Sequence, residues 1–567
     1  MLDKIKYSLT ISLSIILQIG VVWDVILRTV NLLTLTLWIL SIFLLYVSFP
    51  SNKSGRKNTN TKNFNKLLPA VLIIIIALLI RFNFMTDDSR FHGDEYLTAY
   101  FSYSLENFSK IDWFGVYPEK GVWVSQFPVL YFLIQKVFLT AFKVSTLVMR
   151  ISTLPYLFLT FITLFLIARQ LYGNTVAYVS IILLTLFSPD LYLSRWALHF
   201  ISSTALFLLT TYFFILSYKF GNKLYFALTG IFMGLSYMTY YSSYLIAPLL
   251  FVYLTLLVIK REIIFSSLKK YILTFFIFVY TISPLTTYAV FVDNYLVQRT
   301  DQVDLLNGLW SPYKAIEKTP EAIVSIIFNQ LKVSISSLYK DGEGGHGGYY
   351  FGHLSLFDSL SFLFFVISVS YFLIRVYKKD PDSTFIIITI FCVFITGMVL
   401  TIPPPAFHRV SLAYPFISLV IAKTVFDIYK FLNKNNIKNA KLILYFSVLG
   451  ILSTNIVHFR KVLKSETLSQ SDYPKIEKDL TLFPGNKVYI AAFESYALGK
   501  VLFIRSGGNT RFATQPLDVI LNVIPKGDSS PLVILYPEEE SFNKVISKYP
   551  NSKIVRRYQS HLLISVN

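Results

Sequence analysis

Cysteine, acid and charge of either sign are scarce in this chain, and each shortage excludes something. A single cysteine, Cys392, lies inside an apolar run, so there is neither a partner for a disulfide framework nor a set of thiolates for a metal site. Charged residues make up 15% of the 567 positions against 54% hydrophobic and 17% aromatic, too few to coat a soluble globule of this size. Asp and Glu number 32 against 52 Lys and Arg, giving a net charge of +20. Nucleic acid is not the expected partner, because the basic residues fall in short clusters between apolar runs, where positive-inside topology and anionic headgroups account for them. The glycine cluster Gly342–Gly348 lacks a Gly-Lys-Ser/Thr ending and a preceding buried strand, so it reads as an outer loop rather than a nucleotide cradle. Lys4 and Lys6 precede an apolar segment with no small-residue cleavage site, which predicts a retained anchor.

What the chain has in quantity is apolar runs of spanning length, roughly 17–25 residues. They fall near 8–26, 31–49, 67–84, 145–168, 175–193, 198–218, 224–241, 243–259, 271–290, 356–376, 383–401, 409–428 and 441–457. The expected fold is a polytopic α-helical membrane protein of about 13 transmembrane helices with long outer loops and a small C-terminal α/β domain. Three parts are expected: a helical hairpin and basic cytoplasmic linker (1–66), a transmembrane catalytic module (67–458) and an extracytoplasmic domain (459–567). The module carries outer loops at 81–144 and 291–355. In the tail, KVYIAAF, PLVILYP and HLLISV read as strands, ESYALGKVLFI and ESFNKVISKY as helices. Lys53, Arg56, Lys57, Lys62 and Lys66, and later Lys260, Arg261, Lys269 and Lys270, share one side if the N-terminus is cytoplasmic. That parity requires 123–142, interrupted by Gln126, Pro128, Gln135 and Lys136, to lie in the interface or re-enter; a true span is the alternative.

The most informative stretch is RFHGDEYLTAYF, Arg90 to Phe101, where Asp94 and Glu95 stand just beyond an apolar run. Carboxylates that close to a bilayer are costly to desolvate and mark chemistry, a pathway or a binding site. A carboxylate placed there can act as a general base toward a hydroxyl, and Asp94 can serve, with Glu95 orienting it or holding the acceptor. Neighbours on a helix point about 100° apart, so one of the two faces the reacting centre. The competing reading makes both acids N-terminal charges of a helix running through Leu105. His408 and Arg409 open a span after Pro403 to Pro405, where a guanidinium can fork onto phosphate oxygens; snorkelling at a helix end is the alternative. Arg150, Arg195 and His199 lie near predicted outer helix ends as further pocket candidates or interfacial anchors. His92, His199, His346 and His353 fit no compact zinc spacing, so no metal site is assigned. Tyr237, Tyr240, Tyr241 and Tyr244 read as an interfacial belt.

Several pieces occur in a telling order: HGDEYLTAYFSYSLE, IDWFGVY, FPVLYFLIQ, MRISTLPYLFLTFITLFLIARQLYG, SPDLYLSRWALHF and FHRVSLAYPFISLVIA. Together, over about Phe82 to Lys430, they resemble the GT-C membrane glycosyltransferases, especially protein O-mannosyltransferases and the lipid A aminoarabinose transferase. The resemblance implies a cell-membrane enzyme that transfers a hexosyl or pentosyl group from a polyprenyl-phosphate-linked sugar, its donor substrate, to an extracytoplasmic glycan, lipid or protein. It assigns the first-loop catalytic base to Asp94. The chain departs from the pattern at Gln126-Phe127-Pro128, where the family often has Glu-Lys-Pro, and at His199, where some members carry an acid. These departures leave the donor contacts and any divalent metal open. Competing functions are a transporter or flippase of lipid-linked sugars and a nonenzymatic component of a cell-surface assembly.

Overall fold

The computed structural model describes residues 2–49, 67–87, 92–105, 127–259, 268–292, 298–341, 354–402, 406–465 and, within 473–566, a set of short helices and strands. The linker 50–66, Arg90, Trp113, Trp123, Gln126, Lys260 and Arg261, the run 342–348 with His346, His353 and Pro403 to Pro405 lie outside the described residues.

Apolar runs become helices because hydrocarbon offers no partner to a backbone N–H or C=O. Among the described residues ten helices are long and apolar enough to cross a membrane, from Tyr7–Leu27 to Ala440–Lys464. The other three expected spans are helices Leu32–Val47, Asn174–Leu186 and Lys223–Tyr237 of 16, 13 and 15 residues. At about 1.5 Å per residue these reach only about 20–24 Å, short of a bilayer core of about 30 Å. The run 175–193 is cut because Phe187 is extended and Pro189 opens a separate turn of helix, Ser188–Leu193. Of the segment 123–142, the described residues from 127 onward hold a 12-residue helix, Leu130–Ala141.

The N-terminal hairpin is fastened to the rest by buried polar side chains, which in a lipid environment are satisfied between helices. Ser14 Oγ meets Tyr280 Oη at 2.6 Å, Gln18 Nε2 donates to the Tyr280 carbonyl at 3.0 Å, and Trp38 Nε1 donates to the Thr281 carbonyl at 3.2 Å. These partners lie on helix Leu268–Phe291, which also receives Lys223–Tyr237 through a small-residue seam. A Cβ on Gly230 would stand 2.5 Å from the Thr274 carbonyl oxygen, and one on Gly234 would stand 2.6 Å from Thr281 Cβ. Two glycines four apart thus let the backbones touch. Gly230→Ala is expected to force these helices apart at a cost of about 1–3 kcal/mol, read as earlier thermal unfolding in detergent. An unchanged melting curve would refute the close approach.

The C-terminal part holds a five-stranded sheet in the order β2-β1-β3-β5-β4. Strands β1 (Val488–Ala491), β2 (Phe512–Thr514) and β3 (Leu532–Leu535) run parallel, whereas β5 (Leu562–Ser565) is antiparallel to both β3 and β4 (Lys553–Arg557). Helices Tyr496–Arg505, Leu517–Val523 and Glu539–Lys548 complete it. The three expected strands and both expected helices are there; β2, β4 and the helices Tyr473–Leu480 and Leu517–Val523 are additions. The last long helix, Ala440–Ser465, runs past the boundary expected at 459.

Candidate active site

Asp94 and Glu95 occupy the first turn of helix Gly93–Ser104, hereafter the site helix. Its N-terminus is capped by His92, whose Nδ1 accepts the Asp94 backbone N–H at 3.1 Å. The Asp94 carboxylate, 27% exposed, is 3.7 Å from that ring nitrogen.

Glu95 is treated quite differently. It is fully buried, and Arg150 forks onto it, Nη2 to Oε1 at 2.6 Å and Nε to Oε2 at 3.0 Å, while the Ala197 backbone N–H adds a third bond at 3.1 Å. Arg150 also donates through Nη1 to the carbonyls of Met85 at 3.1 Å and Asp87 at 2.6 Å. One guanidinium therefore ties together the end of helix Leu68–Met85, the site helix and, through Glu95, the turn at Ala197. Such a bidentate charge-assisted fork fixes orientation as well as distance. Glu95 is thereby built as a holder of the site helix, and the adjacent Asp94 points elsewhere, as the 100° step between helical neighbours requires.

Arg81, one helix turn before Met85, forms a second anchor. It bonds Asp190 at 2.5 Å and donates to the carbonyls of Leu184 and Thr185 at 3.1 and 3.0 Å, satisfying the buried C-terminal end of helix Asn174–Leu186. Arg195 lies 3.9 Å over the Trp196 ring and 4.6 Å over Tyr192, and Arg150 approaches the same indole at 5.6 Å. The His92 ring meets Trp196 edge-on at 6.2 Å. Trp196 is fully buried and joins His92, Arg150 and Arg195 into one cluster. On the site helix itself, burial and then the Glu95 charge push the Tyr96 phenol up to about 12. Tyr96 therefore stays neutral at physiological pH and is no rival base.

His199 continues this cluster toward the second polar region. Its ring packs 4.2 Å from Phe127 and 4.5 Å from Tyr240, and the helix that follows it, Phe200–Phe220, touches the 407–413 turn through Thr204 Oγ1 and Ser411 Oγ at 3.3 Å. His408 is buried against Phe200 at 6.0 Å. Arg409 donates to the Ile402 carbonyl at 2.9 Å and lines a cavity of about 420 Å³ with Tyr240, Tyr241, Thr300, Asp304 and Thr401. Gly397, in the π-helical turn Ile395–Val399, makes this seat: a Cβ there would stand 3.0 Å from the Arg409 carbonyl oxygen. Adjoining the cavity, an apolar groove of about 750 Å³ follows helix Ile246–Ile259 against Leu268–Phe291, and Pro248 lines both spaces.

Asp94 through His92, Glu95, Arg150 and Arg195 thus gather around Trp196 and Ala197, and His199 packs with Phe127 and Tyr240 beside them. His408 and Arg409 form a second group across helix Phe200–Phe220. Tyr240, Tyr241 and Tyr244, read above as belt residues, line this cavity, their aromatic faces beside the polar run TYYSSY. Trp196 and Asp304 were not expected at all.

Residues 126–288 match the family model described as dolichyl-phosphate-mannose-protein mannosyltransferase. No curated protein matches the chain. Among solved structures, ArnT from Cupriavidus metallidurans bound to undecaprenyl phosphate is similar over 87% of this chain and 97% of its own, with 11% identity and a TM-score of 0.54. The archaeal oligosaccharyltransferase AglB from Archaeoglobus fulgidus, in complex with an inhibitory peptide and a dolichol-phosphate, is similar over 84% of this chain and 70% of its own, with 12% identity and a TM-score of 0.50. The chain is accordingly a multi-pass protein with the GT-C membrane glycosyltransferase fold, carrying the mannosyltransferase family's sequence pattern over residues 126–288.

Proposed function

We propose that this protein transfers a single sugar from a polyprenyl-phosphate carrier to a hydroxyl of an extracytoplasmic lipid, glycan or protein, with Asp94 as general base. The observation that carries this reading is the division of labour between two adjacent carboxylates. Glu95 lies fully buried under the Arg150 fork and a backbone N–H, and the Asp94 carboxylate, 27% exposed and 3.7 Å from the His92 ring, stands on the helix that this fork immobilises. A base is useful only if held within hydrogen-bond reach of its proton, and the Glu95–Arg150 fork supplies that rigidity.

In the step itself the acceptor oxygen forms a bond to the anomeric carbon as its proton passes to Asp94. The bond from that carbon to the phosphate oxygen breaks, and the carrier phosphate leaves with the electron pair. Fixed positive charge stabilises such a leaving group. Arg409, at the cavity beside the apolar groove, is the guanidinium assigned to the phosphate, with the groove taking the carrier's isoprenoid chain. Arg409→Ala is expected to raise the KM for donor about 10–100-fold, the worth of one charge-assisted hydrogen bond, with the acceptor KM little changed. Unchanged donor dependence would return Arg409 to a snorkelling role.

The general test is incubation of purified protein in vesicles with a labelled polyprenyl-phosphate sugar and a membrane extract as acceptor. Covalent transfer supports the proposal. Movement of the carrier across the bilayer without transfer would make the protein a flippase, and neither result would leave a nonenzymatic role.

A further inference from the structure

The helix that carries Asp94 is gripped from two directions, and one of the grips belongs to the C-terminal domain. On one side, Glu95 is forked by Arg150, Ser102 Oγ donates to Gln135 Oε1 at 2.7 Å, and Lys136 Nζ donates to the Tyr103 carbonyl at 2.7 Å. From the other side comes helix Tyr496–Arg505. Phe503 packs edge-on against Tyr100 at 5.3 Å and at a tilt against Tyr103 at 5.4 Å. Lys500 Nζ lies 5.4 Å from the Tyr100 ring and 5.6 Å from the Phe101 ring.

Lys500 is the telling residue. It is 3% exposed, in a helix whose Leu498, Val501, Leu502 and Ile504 are buried apolar side chains. Burying an ammonium is costly unless something answers its charge, and lysine is among the residues least often buried. Aromatic faces of the site helix provide part of that answer. A domain evolved only to be tethered nearby would have no reason to place a cation there.

We propose that the C-terminal domain is a working part of the catalytic module, with Lys500 and Phe503 as positioning residues that fix the site helix and, through it, Asp94. This goes beyond the transferase reading but rests on it for any activity measurement, so the test has two arms. The full-length K500M, K500R and F503A variants are compared with wild type by amide hydrogen exchange over residues 97–105 and by steady-state transfer. In K500M and F503A, exchange is expected to rise and kcat to fall, each about tenfold, with donor KM within about twofold, because orientation is lost while donor binding is not. K500R retains the cation and is expected to stay near wild type in both arms. Wild-type exchange in K500M and F503A would overturn the proposal, as would equal damage in K500R and K500M. If K500M fails to fold, F503A carries the same comparison. If wild type shows no transfer at all, the transferase reading falls and the exchange arm alone decides the positioning role.

Discussion

Asp94→Asn is expected to lower kcat about 10²–10⁴-fold, the usual worth of a general base, while leaving insertion and thermal stability at wild-type levels. The amide is nearly isosteric and suits a helix N-terminus, so the backbone N–H that bonds His92 stays in place. What the amide lacks is a site basic enough to take the acceptor's proton. Asp94→Glu is expected to fall between the two, since it keeps the base and displaces it by one methylene. Transfer assayed with labelled donor in proteoliposomes checks this, and near-normal transfer by the Asn variant would remove Asp94 from the mechanism.

Arg150→Met is expected to have the largest effect on stability, about 3–5 kcal/mol, because it strands a buried carboxylate. Glu95 would keep one backbone bond from Ala197 and lose both halves of its fork, and the carbonyls of Met85 and Asp87 would lose a donor. Glu95→Gln in the same chain removes the stranded charge, so the double variant is expected to recover part of the loss. Thermal unfolding in detergent and yield in the membrane measure both. A single Arg150→Met variant as stable as wild type would mean that the fork is not what holds the site helix.

The membrane architecture was legible because hydrocarbon imposes one backbone solution, and a run such as 68–85 admits little else. Helix length was less so: the apolar run at 175–193 continues smoothly in composition, yet Pro189 divides it. Asp94 and Glu95 stood out by cost of desolvation, but nothing local separates the two. Their separation depends on Arg150, 55 positions from Glu95, and on the Ala197 amide, which only the fold brings near. Arg150 itself could be placed near the site but not assigned a partner. The tail's buried strands announced themselves by hydrophobicity, whereas β4, reading KIVRR, hides an edge strand behind charge. Nothing in ESYALGKVLFI marks Lys500 for burial, since the Tyr100 and Phe101 rings beside it come from a helix about 400 positions earlier in the chain.

The most direct measurement is the anomeric configuration of the product made by wild-type protein from a configurationally defined polyprenyl-phosphate sugar, read by NMR. With Asp94 acting as base and Glu95 locked in its fork, the acceptor displaces the phosphate in one step, so the configuration is expected to invert. Retention would mean a double displacement or a front-face substitution, and would contradict the single in-line displacement assisted by Asp94.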